Sequence, residues 1–230
     1  MTSSTRPPTT DTAAVVALIP LRTGGKSRLG EALTDRHRAV LVLAMLDDVL
    51  AAIRGAGISD IRVLAGDPDA AAAATERGLP ALVDPTSRDD DPRVAPGDRS
   101  LRAAVDGALG TLGDQRARLI VAADLPRLRA DEVRAICTHP ADVVVAPTSG
   151  GGTALLRLMP GVTLPTRYGP DSARAHLAEA HRGRLTAALL ELPSAHHDVD
   201  VERDLTALRG ELEGSVPGAA TAAFLAGLRG

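Results

Sequence analysis

The sequence is poor in the residues that several binding chemistries require. Its 230 residues hold one Tyr, one Phe and no Trp, so it lacks the aromatic platforms on which single-stranded bases stack. A formal net charge of −3 leaves no basic footprint for a duplex,. Nucleic acid is therefore not an expected partner. The single cysteine, Cys137, excludes an intramolecular disulfide framework and a cysteine-rich zinc site,. It falls on the apolar side of a predicted helix with Val133 and Ile136, the place for a buried structural thiol rather than a nucleophile. No apolar run approaches the roughly 18 residues of a membrane span. Ala13 to Leu21 is short, follows Asp11 and contains Pro20, and no basic flank with a small-residue cleavage site marks a signal peptide. The expected setting is cytoplasmic, with no membrane partner.

Lysine is almost missing as well. Of 26 basic side chains Lys26 is the only lysine, the rest being arginine. It sits in the stretch AVVALIPLRTGGKSRLGEAL, residues 14–33, where an apolar run ends at Pro20 and a glycine-bearing cationic loop follows. Bare amides at Gly24 and Gly25, with Lys26 and Arg28, make an anion cradle at a strand end. A compact ammonium on a flexible stem is a different tool there from a guanidinium fork.

The length suits one large domain. Residues 1–12, rich in Ser, Thr and Pro, read as a disordered lead-in. Residues 13–210 read as one domain and 211–230 as a small, alanine-rich extension able to add a short helix. Thr34 or Asp35 can cap a long helix through Leu43, Leu46, Leu50 and Ile53, closed by Gly55 and Gly57. Strands are expected at Ile61–Ala65, Leu79–Val83, Arg118–Ala122, Asp142–Ala146, Thr153–Met159 and Leu185–Leu192. Helices are expected over the alanine run 70–74 and over 101–112, 130–138, 172–181 and 202–209. Residues 84–99 form a long charged loop. Short apolar strands alternating with helices predict an α/β fold, a Rossmann-like three-layer α/β/α sandwich on a mostly parallel sheet. Ligands in such folds sit beyond the carboxyl ends of strands, where both the lysine loop and Asp124 lie.

Gly25-Lys26-Ser27 is the tail of a P-loop, and a strand ending in Asp124 would suit its magnesium site. The full pattern wants a glycine where Pro20 stands, and a helix directly after the Lys-Ser pair. Here Gly30 intervenes and the cap comes only at Thr34 or Asp35. Other features stay open on the residues alone. Gly169-Pro170-Asp171-Ser172 also reads as a plain helix cap, and Asp124 as a polar turn before Pro126. His196-His197 and Asp89-Asp90-Asp91 read as solvated loop residues rather than metal clusters.

Several short motifs occur in one order: Pro20-Leu21 through Lys26-Ser27-Arg28-Leu29, Val42-Leu43-Ala44-Met45-Leu46, Ala123-Asp124-Leu125-Pro126, Gly151-Gly152-Thr153-Ala154-Leu155-Leu156, Tyr168-Gly169-Pro170-Asp171-Ser172 with Ala175-His176-Leu177, and Asp198-Val199-Asp200 with Asp204-Leu205. In that order, from about Val15 to Leu208, the chain resembles the guanylyltransferases of coenzyme F420 biosynthesis, within the nucleotide-diphospho-sugar (GT-A-like) transferase fold. It departs from that pattern at Leu101-Arg102, where the family usually has Leu-Asn, and at Val201-Glu202, where it has Thr-Pro.

The resemblance implies transfer of GMP from GTP to phosphoenolpyruvate or 2-phospho-L-lactate, with release of pyrophosphate. It implies GTP at Gly24, Gly25, Lys26 and Arg28, with Lys26, Arg28 and Asp124 serving catalysis. It implies Mg²⁺ as cofactor, held by Asp124 with Asp198 or Asp200, and the phospho-acid at Thr153, Gly169 and Ser172. The acceptor's phosphate oxygen is largely ionised near neutral pH, so no general base is needed. A related nucleotidyltransferase using 3-phosphoglycerate, a sugar phosphate or molybdopterin, and a non-catalytic nucleotide-binding relative, are the alternative expectations. A homodimer is compatible with the sequence but not specified by it.

Overall fold

The structure, a computed structural model, describes residues 11–24, 29–30, 32–83, 101–196, 198–199, 202–211 and 218–228. Gly25, Lys26, Arg28 and Asp200, together with the expected loop at 84–99 and residues 1–10 of the expected lead-in, lie outside them. The chain runs β1 (Val15–Leu21), α1 (Asp35–Gly55), β2 (Asp60–Ala65), α2 (Pro68–Glu76), β3 (Ala81–Val83), α3 (Leu101–Leu112) and β4 (Ala117–Val121). It continues through α4 (Ala130–Thr138), β5 (Val143–Pro147), β6 (Thr153–Leu158), α5 (Ser172–Arg182), β7 (Ala187–Leu189), α6 (Glu202–Glu211) and α7 (Ala219–Gly227).

Local chemistry sets the helix starts. Thr34 is the N-cap of α1, its hydroxyl accepting the His37 amide at 3.2 Å. Asp67 caps α2 through the Ala70 amide at 2.7 Å, and Pro68 fills the first helical position, where no amide is needed,. At α5 the cap is Asp171 in the left-handed region (φ 52°), without a side-chain cap bond, and Ser172 is the first helical residue.

The strands form one seven-stranded sheet in the order β3-β2-β1-β4-β6-β5-β7. All pairings are parallel except those of β6, which runs antiparallel to both β4 and β5. Only residues 148–152 join β5 to β6, and a parallel crossover needs a dozen or more, so β6 has to fold back. Alternate residues of β1 feed the two faces. Val15, Ala17, Ile19 and Leu21 join one apolar core with residues of α1, α2, α4, α6 and α7. Leu18 joins the other, with Ala104, Val105 and Ala108 of α3 and Ala173 and Ala180 of α5. The expected three layers are present.

Two corrections concern strand limits. The strand expected to break at Pro20 runs on to Leu21, because β1 has by then lost one neighbour. Val15 to Leu18 pair with β4, but Ile19 to Leu21 pair only with β2. The Leu21 carbonyl accepts the Gly66 amide at 2.9 Å, so Pro20, one residue back, turns its donorless nitrogen to the side β4 has left. The strand expected over Leu185–Leu192 shrinks to Ala187–Leu189, since only three of its residues find partners on β5.

Two strand arginines act as internal caps. Arg157 is fully buried in β6 and donates to the carbonyls of His139 at 2.5 Å, Ile136 at 3.3 Å and Asp142 at 3.4 Å, closing the end of α4,. Arg118 in β4 donates to the carbonyls of Gly113, Met159 and Val162. Burial pushes the Arg157 guanidinium down to about 10, which leaves it charged at neutral pH. Cys137 beside it is buried and its thiol is pushed up to about 12, against the pull of Arg157, so it is no nucleophile,.

Candidate active site

The sheet order reverses between β1 and β4, and the chain leaves those two strands in opposite directions. A cleft of about 430 Å³ opens there, beyond their carboxyl ends,. Leu21, Leu64 and Ile120 form its floor, Val42 and Met45 of α1 one wall, and Leu101 and Ala104 of α3 another. Its polar side chains are Arg22, Asp124, Thr148, Thr153, Tyr168 and Asp198.

Each arrives for a structural reason. The amide and hydroxyl of Thr23 donate to Asp67 at 2.8 and 2.9 Å, so the carboxylate that caps α2 also clamps the entry to the lysine loop. Gly66 lets the Arg22 side chain cross the end of β2: a Cβ there would stand 2.5 Å from Arg22 Cγ. Gly24 is exposed, and a Cβ on it would meet nothing within 4 Å. Asp124 lies three residues beyond the carboxyl end of β4. Asp198 is carried in by a segment tied down twice. The Ser149 amide donates to the His196 carbonyl at 2.9 Å, and the Ser194 amide donates to Glu132 of α4 at 3.1 Å.

Thr153 opens β6 and faces the cleft from the side of the antiparallel strand. Before it, residues 148–152 turn tightly, the Thr148 amide meeting the Gly152 carbonyl at 3.0 Å. A Cβ on Gly152 would come 2.8 Å from Thr148 Oγ1, so the turn needs glycine there. Thr153 Oγ1 lies 2.8 Å from Ser172 Oγ and 3.1 Å from His176 Nδ1. Ser172 is 1% exposed and so stands behind Thr153. Gly169 is exposed, at φ +133°, a backbone state that favours glycine, next to Tyr168 on the cleft wall,.

The structure thus brings Asp124, Asp198 and Thr153 to one cleft, with Ser172 and Gly169 immediately behind and beside it. Asp124 and Asp198 are hard oxygen donors of the kind Mg²⁺ takes. Among the described residues no group of three or more His, Cys, Asp or Glu could hold a metal. That donor set fits an ion held by one or two carboxylates and completed by water and substrate phosphates.

Sequence reasoning missed Asp67, although an Asp before a Pro is a capping signal. It also gave no role to His176 or Tyr168, whose part depends on long-range contacts. Arg102, the departure from the family's Leu-Asn, donates to the Tyr168 carbonyl at 3.3 Å and so ties α3 to the segment beside Gly169.

Comparisons with known proteins bear on the chain as a whole. The family described as "Guanylyl transferase CofC like" matches residues 15–216. A phosphoenolpyruvate guanylyltransferase of Roseiflexus castenholzii is 38% identical over 85% of this chain and 86% of its own length. A 2-phospho-L-lactate guanylyltransferase of Halobacterium salinarum is 36% identical over 78% of this chain and 77% of its own. Among solved structures, one assigned as a nucleotide-diphospho-sugar transferase from Desulfovibrio desulfuricans G20 superposes with a TM-score of 0.67 at 19% identity. It covers 94% of this chain and 96% of that one. CMP:2-keto-3-deoxy-manno-octonic acid synthetase in complex with CTP superposes at 0.58 and 14% identity, over 87% and 98%. These two give the fold, that of nucleotide-sugar nucleotidyltransferases. No helix among the described residues is long and apolar enough to cross a membrane. With a matching family that spans most of its length and relatives above a third identical, the chain belongs to the CofC-like guanylyltransferases.

Proposed function

We propose that the protein transfers GMP from GTP to the phosphate of a three-carbon phospho-acid, phosphoenolpyruvate or 2-phospho-L-lactate. The observation that carries this reading is the meeting of Asp124, Asp198 and Thr153 in one cleft at the switch point of the sheet, in a chain of this family. An acceptor phosphate oxygen forms the new bond to the α-phosphorus of GTP. The bond from that phosphorus to the β-bridging oxygen breaks, and pyrophosphate leaves with the electron pair. The attacking oxygen is already ionised near neutral pH, so the protein has to position and neutralise rather than deprotonate.

Lys26 and Arg28, with the amides of Gly24 and Gly25, take the triphosphate in this reading. Asp67 holds Thr23, at the entry to that loop, through two hydrogen bonds. Asp124, with Asp198 or Asp200, would hold Mg²⁺, which when bound supplies positive charge to the α-phosphate and to the departing pyrophosphate. The Thr153 hydroxyl and the backbone around Gly169, at the start of α5, receive the phospho-acid, with Ser172 supporting Thr153,. The apolar floor and walls shed water from the transfer.

Incubation with GTP, Mg²⁺ and each acid in turn, read as pyrophosphate release and as the GMP diester by mass spectrometry, tests this. Release with phosphoenolpyruvate or 2-phospho-L-lactate is the expected result. Release only with a sugar phosphate or with 3-phosphoglycerate overturns the acceptor. GTP binding without release under any condition overturns the activity.

A further inference from the structure

We infer that His176 is a positioning residue of the phospho-acid subsite: it fixes the Thr153 hydroxyl as a hydrogen-bond donor into the cleft and pins the backbone that carries Tyr168 and Gly169. The inference rests on the reading of Thr153 given above. The imidazole is fully buried on α5. Its Nε2 lies 2.8 Å from the Arg167 amide. An amide can only donate, so Nε2 must present its lone pair, and the ring proton belongs on Nδ1. Nδ1 in turn is 3.1 Å from Thr153 Oγ1, and its one proton is shared between that hydroxyl and the Ser172 backbone.

The direction of the bonds follows. Thr153 Oγ1 receives a proton from the histidine, so one lone pair is used. Ser172 Oγ, at 2.8 Å, can donate to the other. The hydroxyl's own proton is then left for the side that remains, the cleft, where an anionic oxygen is the fitting partner. Burial holds the ring neutral, pushing it down to about 4, so this polarity persists across the physiological range.

The same ring organises the second half of the subsite. The Arg167 amide is tethered by Nε2, and the Arg167 guanidinium by Glu179 of α5 at 2.6 Å. Tyr168 stands edge-on to the imidazole, 5.0 Å between centroids at 75°. Thr153 on β6 and the 167–169 backbone share no strand or helix. His176 is the side chain that joins them.

Two isosteric variants of the full chain separate this role from plain packing. His176→Asn keeps an N–H near the Nδ1 position, and His176→Gln keeps an acceptor near Nε2 but loses the donor to Thr153. Expected for His176→Gln is a rise of about tenfold in the phospho-acid KM, the scale of one lost hydrogen bond to a charged ligand, with the GTP KM within twofold of wild type. His176→Asn, which restores the donor to Thr153 but not the acceptor for the Arg167 amide, should recover part of that loss. Equal phospho-acid KM values in wild type and His176→Gln overturn the proposal, as does a parallel rise in both KM values. The tautomer is read independently of turnover by ¹⁵N–¹H correlation of the imidazole. A pyrrole-type Nδ1 and a pyridine-type Nε2 are expected, and the reverse overturns the proposal even if no phospho-acid proves to be a substrate. Failure of every acid in wild type with the expected tautomer would instead sink the assigned activity and, with it, the subsite role given to His176.

Discussion

Asp124 and Arg157 show how differently two charged side chains can serve one sheet. Asp124 lies three residues beyond β4 in the lining of the cleft, where the proposed reaction uses its charge. Asp124→Asn keeps the shape and removes the charge. Turnover should fall by at least roughly 100-fold, the scale of a lost metal ligand in transition-state stabilisation, while the unfolding midpoint stays near wild type, a pair of results that steady-state kinetics and a thermal melt would show together. Arg157 never meets solvent and holds three main-chain carbonyls. Arg157→Met strands those acceptors and should destabilise the fold by about 3 kcal/mol or more, measured by urea unfolding. Arg157→Lys should restore little of it, because one ammonium cannot span three carbonyls as a fork does.

Among the elements, α7 has the most testable attachment. Its buried anchor is Asp48 of α1, 6% exposed, which accepts the amides of Ala220 and Thr221 at 2.9 and 3.0 Å and the Thr221 hydroxyl at 2.6 Å. A carboxylate at a helix N-terminus satisfies orphan amides and complements the helix dipole. Asp48→Ala leaves those donors buried and unmatched, so it should cost about 2 kcal/mol. The loss should appear first as faster amide hydrogen exchange in residues 219–227, ahead of the sheet. Uniform acceleration across β1 and β4 would show instead that α7 is integral to the core. The β5–β6 connection makes a related point. Its shortness forces the antiparallel return, and that return is what brings Thr153, at the start of β6, beside the segment that follows β4 and carries Asp124.

At the scale of the molecule, a buried histidine couples the fold to pH. His176 is held near 4 in the folded state by burial, with Asp106 pulling it up and Arg102 and Arg167 pushing it down. Its unfolded value is about 6.5. Below pH 6.5 the unfolded chain takes up a proton that the folded chain refuses until about pH 4. Stability contributed by the neutral ring is therefore full above pH 6.5 and lost as pH falls toward 4, by up to about 3 kcal/mol. His139, lowered by burial and by Arg157, acts with the same sign. The urea midpoint should drop across that window and drop less in His176→Gln. An unchanged slope in the variant would place the titration elsewhere.

Short-range chemistry accounts for what was legible in the residues alone. Apolar runs marked β1, β2, β4 and β5, the Thr34 hydroxyl placed the start of α1, and glycines marked its end. Three layers followed from the alternation of strand and helix. Ordered motifs placed Asp124, Thr153 and Asp198 on one family's pattern, and the lone lysine marked a loop whose residues 25–28 lie outside those described here. The tertiary structure decided whatever depended on neighbours distant in sequence. Pro20 stays in its strand only because β4 has already parted from β1. Arg118 and Arg157 look misplaced in apolar strands until the carbonyls they close are brought beside them. Tautomer and role of His176 depend on an amide nine positions back and a hydroxyl 23 positions back. No local pattern encodes such pairings, because they form only when β6 turns back along the sheet and α5 docks against it.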